Sequence, residues 1–393
     1  MKKKIVLAYS GGLDTSVAVP WLKENYDAEV ITVTIDLGMV DLALIKKRAI
    51  DVGADKAVTI DAKQMLVDEF LWPALKAGAI YEEEYPLATA LGRPLIARCL
   101  VDVAKEEGAY AIAHGCTGKG NDQVRIEVNA ASLFPEVELI APIREWGMSR
   151  ADEVEYANER NLPINIKDSR FSVDENLWGR SAEAGELEDP WSEPPEEAYT
   201  WTSSSMDAPD EKKYIEIDFD KGIPVRIDGT QIPSIELIVK LNEIAGKYGI
   251  GRIDHVENRL VGIKSREIYE SPAGVLLHIA HKALEDLTLS KDQARFKASI
   301  SKEYAEIVYN GLWFGRHRLD LDKYVESSQA YVTGTVRMLL YKGNCRVVGR
   351  KSNYGLYSKN LATYDRDDSF DHSAAEGFIK IYGLSQRTEN LIR

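Results

Sequence analysis

The sequence predicts an α/β fold class: a doubly wound parallel sheet, followed by an α+β domain and a helical tail. Three observations lead to this prediction. Strand and helix signals alternate through the first 168 residues, as in parallel strands joined by helices. A glycine turn between the first strand and the first helix has the composition of an anion site. Beyond residue 212 the strands and helices no longer alternate strictly.

The first domain, predicted at residues 1–168, contains strand signals rich in apolar and β-branched residues. They lie at residues 4–8, 29–35, 57–60, 110–113 and 138–141. Helical segments separate them, at residues 17–24, 42–52, 65–77 and 94–107. A further helix opens at Ser149, with Asp152 at capping-box spacing. Because ligands of such sheets bind at the carboxyl ends of the strands, the segments after the first and fourth strands form the candidate site.

Residues 169–212 differ from both flanking regions. Residues 183–197 are acidic and contain proline, and residues 202–205 are small and polar. A plain linker is one interpretation of this segment. An ordered loop that covers a substrate is the other, because loops of this length are usually either functional or disordered.

The second domain, predicted at residues 169–372, combines half-buried strands with amphipathic helices. The strand signals lie at residues 214–219, 224–227, 332–340 and 346–348, and the helical signals at 235–248, 276–287 and 294–309. The tail, residues 373–393, is predicted to be an oligomerisation helix. Its apolar residues are too many for a short terminal segment to bury by itself.

Composition narrows the class of protein. The formal net charge is −14, whereas nucleic-acid binding needs a basic surface, so we expect no nucleic-acid partner. The three cysteines have neither CxxC pairing nor metal-ligand spacing, which favours a reducing compartment. The apolar stretch before Ser10 is too short for a signal-peptide core, and no apolar run reaches membrane-spanning length. We therefore expect a cytoplasmic protein with no membrane partner and no metal site of its own.

The first motif follows the first strand and opens the first helix: Ala8-Tyr9-Ser10-Gly11-Gly12-Leu13-Asp14-Thr15-Ser16. Its glycines allow a tight turn whose N–H groups approach phosphate, and the helix N-terminus adds donors and a partial positive charge. Three hydroxyl groups add donors, and Asp14, Thr15 or Ser16 can cap the helix. The alternative is an ordinary serine-glycine turn that caps a helix.

Other phosphate-binding turns are excluded by their own patterns. A P-loop needs Gly-Lys-Ser/Thr and a dinucleotide fingerprint needs three spaced glycines, and neither follows this strand. The pattern Ser-Gly-Gly-Leu-Asp-Thr-Ser resembles the pyrophosphate loop of ATP pyrophosphatases, whose fold is adenine nucleotide α-hydrolase-like. The resemblance implies an enzyme that splits ATP between the α and β phosphates and adenylates a carbonyl oxygen.

The second motif follows the fourth strand: His114-Gly115-Cys116-Thr117-Gly118-Lys119-Gly120-Asn121-Asp122-Gln123-Val124-Arg125. An arginine at its end can clamp a carboxylate with two parallel hydrogen bonds. Its hydroxyl, amide and carboxylate groups suit the ammonium and carboxylate groups of an amino acid. The alternative is a solvent-exposed glycine loop that begins a helix, but two such motifs at one sheet edge favour a binding site.

Together the two motifs resemble the argininosuccinate synthase family, and the resemblance covers nearly the whole chain. Further matching runs lie at residues 81–85, 93–94, 171–178, 251–259, 262–270 and 272–274. At Gly38-Met39 the family often has Gly-Gln. The resemblance implies ligation of L-citrulline and L-aspartate with ATP, releasing AMP and diphosphate through a citrulline adenylate. It leaves open whether the pathway is arginine biosynthesis or a urea cycle.

The resemblance also implies which residues bind what. ATP contacts are expected from Ala8, Tyr9, Ser10, Gly11, Gly12, Leu13, Asp14, Thr15, Ser16, Ile35 and Gly115, with Mg²⁺ beside the phosphates. Aspartate contacts are expected from Thr117, Asn121 and Asp122. Citrulline contacts are expected from Tyr85, Ala90, Asn121, Arg125, Ser172, Ser181, Glu257 and Tyr269. Catalysis is expected to rest on Ser10, Asp14, Thr15, Ser16 and Asp122, and the assembly to be a homotetramer.

The histidines and cysteines offer no clear catalytic group, and the alternative enzyme functions lack the residues that they would need. His114, His278 and His281 are interpreted as structural, and Cys116 as a small filler, so the sequence contains no obvious general base. A glutamine-fed amidotransferase would need a nucleophilic cysteine or a glutaminase domain, and a tRNA-modifying thiolase would need CxxC pairs or a basic surface. An ATP-sensing module without catalysis is the alternative from another class.

Overall fold

A five-stranded parallel sheet forms the N-terminal part of the fold, in the spatial order third, second, first, fourth, fifth strand. Its strands are β1 (Lys3–Ala8), β2 (Ala28–Asp36), β3 (Lys56–Asp61), β4 (Ala111–Ala113) and β5 (Glu138–Ile140). The strand order reverses between β1 and β4, so the crevice for a ligand lies beyond the carboxyl ends of these two strands. The computed structural model describes residues 2–38, 41–164, 170–365 and 368–393. Met39 and the predicted domain boundary at 168/169 lie outside the described residues.

Helices pack on both faces of this sheet. On one face lie α1 (Leu13–Tyr26) and α2 (Leu42–Asp51), and on the other α5 (Ala88–Glu107) and α6 (Asn121–Leu133). The other helices of this part of the chain are α3 (Lys63–Leu66), α4 (Trp72–Ala77), α7 (Pro142–Trp146) and α8 (Arg150–Glu159). Successive residues of β1 alternate between two cores: Ile5 packs with Leu22 of α1, and Val6 packs with Leu100 of α5 and Ile126 of α6. The doubly wound sheet predicted from the sequence is confirmed.

The predicted strands of this sheet are confirmed with each end shifted by at most one residue, whereas some helices differ. The helix predicted from Pro94 begins six residues earlier, at Ala88. Pro94 therefore lies inside the helix rather than at its start. The helix predicted at 65–77 runs through α3, a π-helical turn at Val67–Leu71, and α4.

Two antiparallel sheets follow, both within the first of the two compact units of the chain, Met1–Tyr354 and Gly355–Arg393. Their strands are β6 (Ser172–Asn176), β7 (Gly179–Glu183), β8 (Lys213–Asp220), β9 (Ile223–Ile227), β10 (Thr230–Gln231), β11 (Arg252–Asn258), β12 (Lys264–Glu270), β13 (Gly334–Tyr341) and β14 (Asn344–Lys351). One sheet has the order β10-β9-β8-β13-β14, the other β11-β12-β7-β6. The accompanying helices are α9 (Ser234–Lys247), α10 (Pro272–Thr288), α11 (Lys291–Tyr309) and α12 (Arg316–Gln329). The α+β character of this part is confirmed, but its four-stranded sheet was not predicted.

The described part of the 169–212 segment is more than a plain linker. It contributes β6 and β7, and it continues through 3₁₀ turns at Gly185–Glu188 and Glu196–Ala198. The fully buried carboxylate of Glu270 accepts hydrogen bonds from the backbone N–H groups of residues 200, 201 and 202, each at 2.9 Å. Arg180 donates to the same carboxylate at 3.1 Å. A buried charge with this many donors fixes the segment against the four-stranded sheet.

The second unit is helical. It contains α13 (Lys359–Ala362), α14 (His372–Tyr382) and α15 (Leu384–Ile392). The single terminal helix predicted for the tail is thus divided at Gly383, where the chain bends between α14 and α15. In the described part of the chain, none of the helices combines the length and apolarity needed to cross a membrane.

Candidate active site

The first glycine motif forms the turn between β1 and α1. Gly11 has φ of +78°, a left-handed conformation that favours glycine, and its carbonyl accepts a hydrogen bond from Arg48 Nη1 at 2.9 Å. Gly12 is the N-cap of α1, with extended backbone and no side-chain capping bond. The first N–H groups of α1 therefore face the crevice without a capping side chain, as an anion site requires.

The hydroxyl groups of the loop bond to one another instead of capping the helix. Ser10 Oγ and Thr15 Oγ1 are 3.1 Å apart, and Tyr9 Oη and Ser16 Oγ are 3.0 Å apart. The prediction that Asp14, Thr15 or Ser16 caps α1 is therefore wrong. Ser16 is fully buried under Tyr9, which makes its side chain a support of the loop rather than part of its surface.

A cavity of about 290 Å³ opens in front of this loop. Several of the predicted ATP contacts line it, namely Ala8, Tyr9, Ser10, Thr15, Ile35 and Gly115. The same cavity is bordered by Arg93 and Asp174, which lie in two of the runs that match the family and were not predicted as contacts. The segments after β1 and β4 thus meet at one sheet edge, as the strand order predicts.

The second glycine motif is anchored by its histidine. The backbone N–H of Cys116 donates to His114 Nδ1 at 3.2 Å, so the hydrogen of the neutral ring lies on Nε2. That Nε2 is 2.8 Å from Glu127 Oε1. Burial raises the pKa of the Cys116 thiol to about 12, which disfavours a thiolate nucleophile. These contacts agree with structural roles for both residues.

Asp122 lies between two guanidinium groups at the start of α6. Arg93 Nη2 is 2.7 Å from Asp122 Oδ2, and Arg125 Nη1 is 3.1 Å from Asp122 Oδ1. Burial alone would raise the pKa of the Asp122 carboxyl, but the two arginines outweigh burial and lower the pKa to about 2. Arg93 also pairs with Asp174 of β6, so it connects α5, α6 and the four-stranded sheet.

Glu257 of β11 is the centre of a second buried network. Tyr269 Oη donates to Glu257 Oε2 at 2.6 Å, and Tyr309 Oη donates to Glu257 Oε1 at 2.7 Å. Asn121 Nδ2 lies 3.4 Å from Glu257 Oε1. Tyr85 stacks on Tyr269 with ring centroids 4.0 Å apart. Four of the predicted citrulline contacts are therefore adjacent in the fold, although up to 184 positions separate them in sequence.

Arg125 joins the two networks and keeps one donor free. Its side chain is buried, and Nε donates to the backbone carbonyl of Tyr309 at 2.9 Å. Its Nη2 is buried without a hydrogen-bond partner among the residues that the structure describes. An unsatisfied buried guanidinium donor carries a free-energy penalty unless a ligand completes it, and a carboxylate matches its geometry.

Comparison with known proteins decides the family. Two family profiles match, "Arginosuccinate synthase N-terminal HUP domain" at residues 4–163 and "Arginosuccinate synthase C-terminal domain" at residues 171–389. The chain belongs to the argininosuccinate synthase family. The argininosuccinate synthase of Dehalococcoides mccartyi is 55% identical over 391 residues, covering 99% of this chain and 96% of its own. That of Symbiobacterium thermophilum is 55% identical over 386 residues, covering 98% and 96%.

The argininosuccinate synthase assignment confirms the resemblance seen in the sequence and does not favour the amidotransferase, thiolase or sensor alternatives. Within this family member the remaining predicted contacts are more scattered. Ser181 of β7 lies opposite Tyr269 and Asp174 in the sheet register. Ala90 is buried in α5, whereas Thr117 and Ser172 are exposed. Arg93, Asp174 and Tyr309 were not predicted as site residues from the sequence. The only sequence signals for them are that Arg93 and Asp174 lie in runs that match the family and that Tyr309 ends a predicted helix.

Proposed function

We propose that the chain ligates L-citrulline to L-aspartate at the expense of ATP, releasing AMP and diphosphate. The family assignment supports this reaction. One structural observation links this reaction to particular residues. Nη2 of buried Arg125 has no hydrogen-bond partner among the described residues, and it lies beside the hydrogen-bond network around Glu257. A guanidinium donor and a carboxylate at one site match the carboxylate and the ammonium or ureido N–H groups of citrulline.

ATP is proposed to bind with its phosphates on the turn between β1 and α1. The uncapped N–H groups of α1 and the hydroxyls of Ser10 and Thr15 border the cavity there and suit anionic oxygens. Ile35 and Gly115 line the same cavity and are proposed to border the adenosine. The buried side chain of Ser16 is proposed to hold the loop rather than contact phosphate.

Mg²⁺ is proposed to accompany ATP. The described residues contain no cluster of three or more His, Cys, Asp or Glu side chains that could hold a metal by themselves. We therefore propose a magnesium ion held mainly by phosphate oxygens and water, with Asp14 in the first turn of α1 as the carboxylate that the loop itself contributes. When bound, the ion would neutralise charge on the departing diphosphate.

The chemistry proceeds in two displacements. The citrulline ureido oxygen forms a bond to the α-phosphorus while the bond from that phosphorus to diphosphate breaks. The aspartate ammonium releases a proton to solvent, its free amine attacks the activated carbon, and AMP leaves with the oxygen. Asp122 is proposed to orient the aspartate ammonium, because its low pKa keeps it a carboxylate and makes it a weak proton acceptor near neutrality. Most of the acceleration is expected from positioning and charge stabilisation.

The proposal also includes the other substrate contacts, the domain boundaries, the assembly and the compartment. Citrulline is proposed to contact Tyr85, Ala90, Asn121, Arg125, Ser172, Ser181, Glu257 and Tyr269, and aspartate to contact Thr117, Asn121 and Asp122. The domains are proposed at residues 1–168, 169–372 and 373–393, in a homotetramer that acts in arginine biosynthesis. The unpaired thiols of Cys99, Cys116 and Cys345 favour the reducing cytoplasm.

Diphosphate release tests the proposal. The purified protein with ATP and aspartate should release diphosphate only when citrulline is added, and argininosuccinate should be detected by mass spectrometry. If adenylation precedes aspartate attack, positional oxygen exchange within ATP should require citrulline but not aspartate. Exchange that depends strictly on aspartate would overturn this order, and citrulline-independent turnover would overturn the function.

A further inference from the structure

We propose that Tyr309 is a positioning residue of the citrulline site, an inference that rests on the proposed function for the identity of the ligand. Tyr309 is the last residue of α11, and its side chain is almost fully buried. It contacts three of the predicted binding residues at once, two through its hydroxyl and one through its backbone and ring.

The hydroxyl of Tyr309 orients two polar side chains. It donates to Glu257 Oε1 at 2.7 Å and accepts from Asn121 Nδ2 at 2.9 Å. Burial first, and then the neighbouring Glu257 carboxylate, raise the pKa of the Tyr309 phenol, so it stays protonated and keeps donating. The bond fixes Oε1 of Glu257, while Tyr269 fixes Oε2, so the carboxylate is held from both sides.

The backbone and ring of Tyr309 set the direction of Arg125. The carbonyl of Tyr309 accepts from Arg125 Nε at 2.9 Å, and the guanidinium carbon lies 4.7 Å from the ring centroid. With Nε bonded to this carbonyl and Nη1 bonded to Asp122, the free Nη2 has a fixed position. A preorganised donor of this kind costs little entropy when a carboxylate arrives.

The turn that follows Tyr309 packs directly on α6. Gly311 has φ of +70°, and a Cβ atom at Gly311 would lie 2.8 Å from the Cα of Arg125. The carbonyl of Gly311 also accepts from Asn129 Nδ2 at 2.9 Å. On the other side, Tyr81 stacks on Tyr309 with centroids 3.5 Å apart. The end of α11 thus joins the second part of the fold to the helix that carries the binding side chains.

Tyr309→Phe tests the proposal, with Tyr304→Phe as a matched control. Tyr304 lies on the same helix, is equally buried, and donates to Asp322 at 2.8 Å, away from the site. We expect Tyr309→Phe to raise KM for citrulline about tenfold, because a Glu257 carboxylate that is no longer held in place loses about one charge-assisted hydrogen bond to the ligand. KM for ATP should stay within about twofold. Tyr304→Phe should leave both KM values unchanged, while both variants lower the melting temperature.

The outcomes separate the two levels of inference. Wild-type protein that shows no citrulline-dependent diphosphate release would overturn the proposed function itself. Active wild type together with an unchanged citrulline KM in Tyr309→Phe, or an equal rise for ATP, would overturn only the positioning role. If Tyr309→Phe does not fold, Gly311→Ala replaces it, with Gly108→Ala as control. Gly108 has φ of +63° and open space around it, so only the Gly311 variant should raise KM for citrulline.

Discussion

At Arg125, a buried charge lacks part of its hydrogen bonding. Asp122 and the carbonyl of Tyr309 satisfy two of its nitrogen atoms, and burial prevents water from replacing the missing partner. Its motif suggested a carboxylate clamp from sequence. The structure adds that Nη1 is already bonded to Asp122, so only Nη2 is left without a partner among the described residues.

Arg125→Ala should weaken citrulline binding and spare ATP binding. Loss of one charge-assisted bond costs about 1.5–3 kcal/mol, which corresponds to roughly a tenfold to hundredfold loss of affinity. Calorimetry with each ligand measures the effect. Arg98→Ala is the matched control, because Arg98 pairs with Glu69 at the surface of α5, and it should change neither affinity. Equal losses for citrulline and ATP in Arg125→Ala would contradict the assignment.

The two loop glycines make separate predictions. Gly11→Ala should lose about 1–2 kcal/mol of folding stability, because its φ of +78° is left-handed.

Gly12→Ala should melt like the wild type, since its backbone is extended and the nearest atom to a new Cβ is Ser10 Oγ at 3.5 Å. It should nevertheless bind ATP more weakly, because phosphate has to approach the start of α1 closely. Normal turnover in Gly12→Ala would show that Gly12 is only a turn residue.

At the scale of elements, α1 and α8 bring two carboxyl groups together. Glu153 of α8 is buried, and burial followed by the neighbouring Asp14 raises the pKa of its carboxyl to about 8, with Arg150 acting in the opposite direction. The folded state therefore holds this proton more tightly than the unfolded chain. Stability from this group is complete at low pH and is lost as the pH rises toward 8.

Glu153→Gln should remove this pH dependence, because glutamine mimics the protonated carboxyl. The melting-temperature advantage of the variant over wild type should grow above pH 5 and level off above pH 8, because the wild-type carboxyl loses its proton over that range. Thermal melts at several pH values measure it. Glu155→Gln, on the exposed side of α8, serves as the control. A difference in melting temperature that does not vary with pH would contradict the raised pKa of Glu153.

Elements differed in how well the sequence predicted them. The strands of the parallel sheet are short apolar runs, so the local sequence pattern is sufficient to predict them. In β11, by contrast, His255 and Glu257 are buried while Val256 is exposed. At these positions the polar residues are buried and the apolar residue is exposed, so hydrophobic alternation did not mark β11 as a strand.

At the scale of the whole molecule, the tail of the second unit leads to a prediction about assembly. Phe378, Ile379, Ile381 and Tyr382 of α14 are each more than 60% exposed, a density of apolar surface that usually marks an interface. Removing residues from Ala374 onward should shift the protein to smaller species in light scattering. The double variant Phe378→Ser/Tyr382→Ser should act in the same direction, and Lys380→Ser on the same helix should not. A folded truncation that keeps the full assembly mass would contradict this role.

The sequence by itself determined the fold of the first domain, the phosphate loop and the family, because each depends on short local patterns. Strand alternation, a glycine turn and the 114–125 motif are all readable within a few positions. The capping of α1 was predicted wrongly, because the hydroxyl groups of the loop hydrogen-bond to one another and not to the N-terminus of α1.

The tertiary structure alone decided how the site is completed. Arg125 bonds to a carbonyl 184 positions away, and Tyr309 reaches Glu257 across 52 positions. Arg93 receives its two carboxylates from elements that the sequence does not pair. No local sequence pattern encodes such contacts, because they depend on how whole helices and strands pack together. This packing brings opposite charges into contact, which offsets the free-energy cost of burying them.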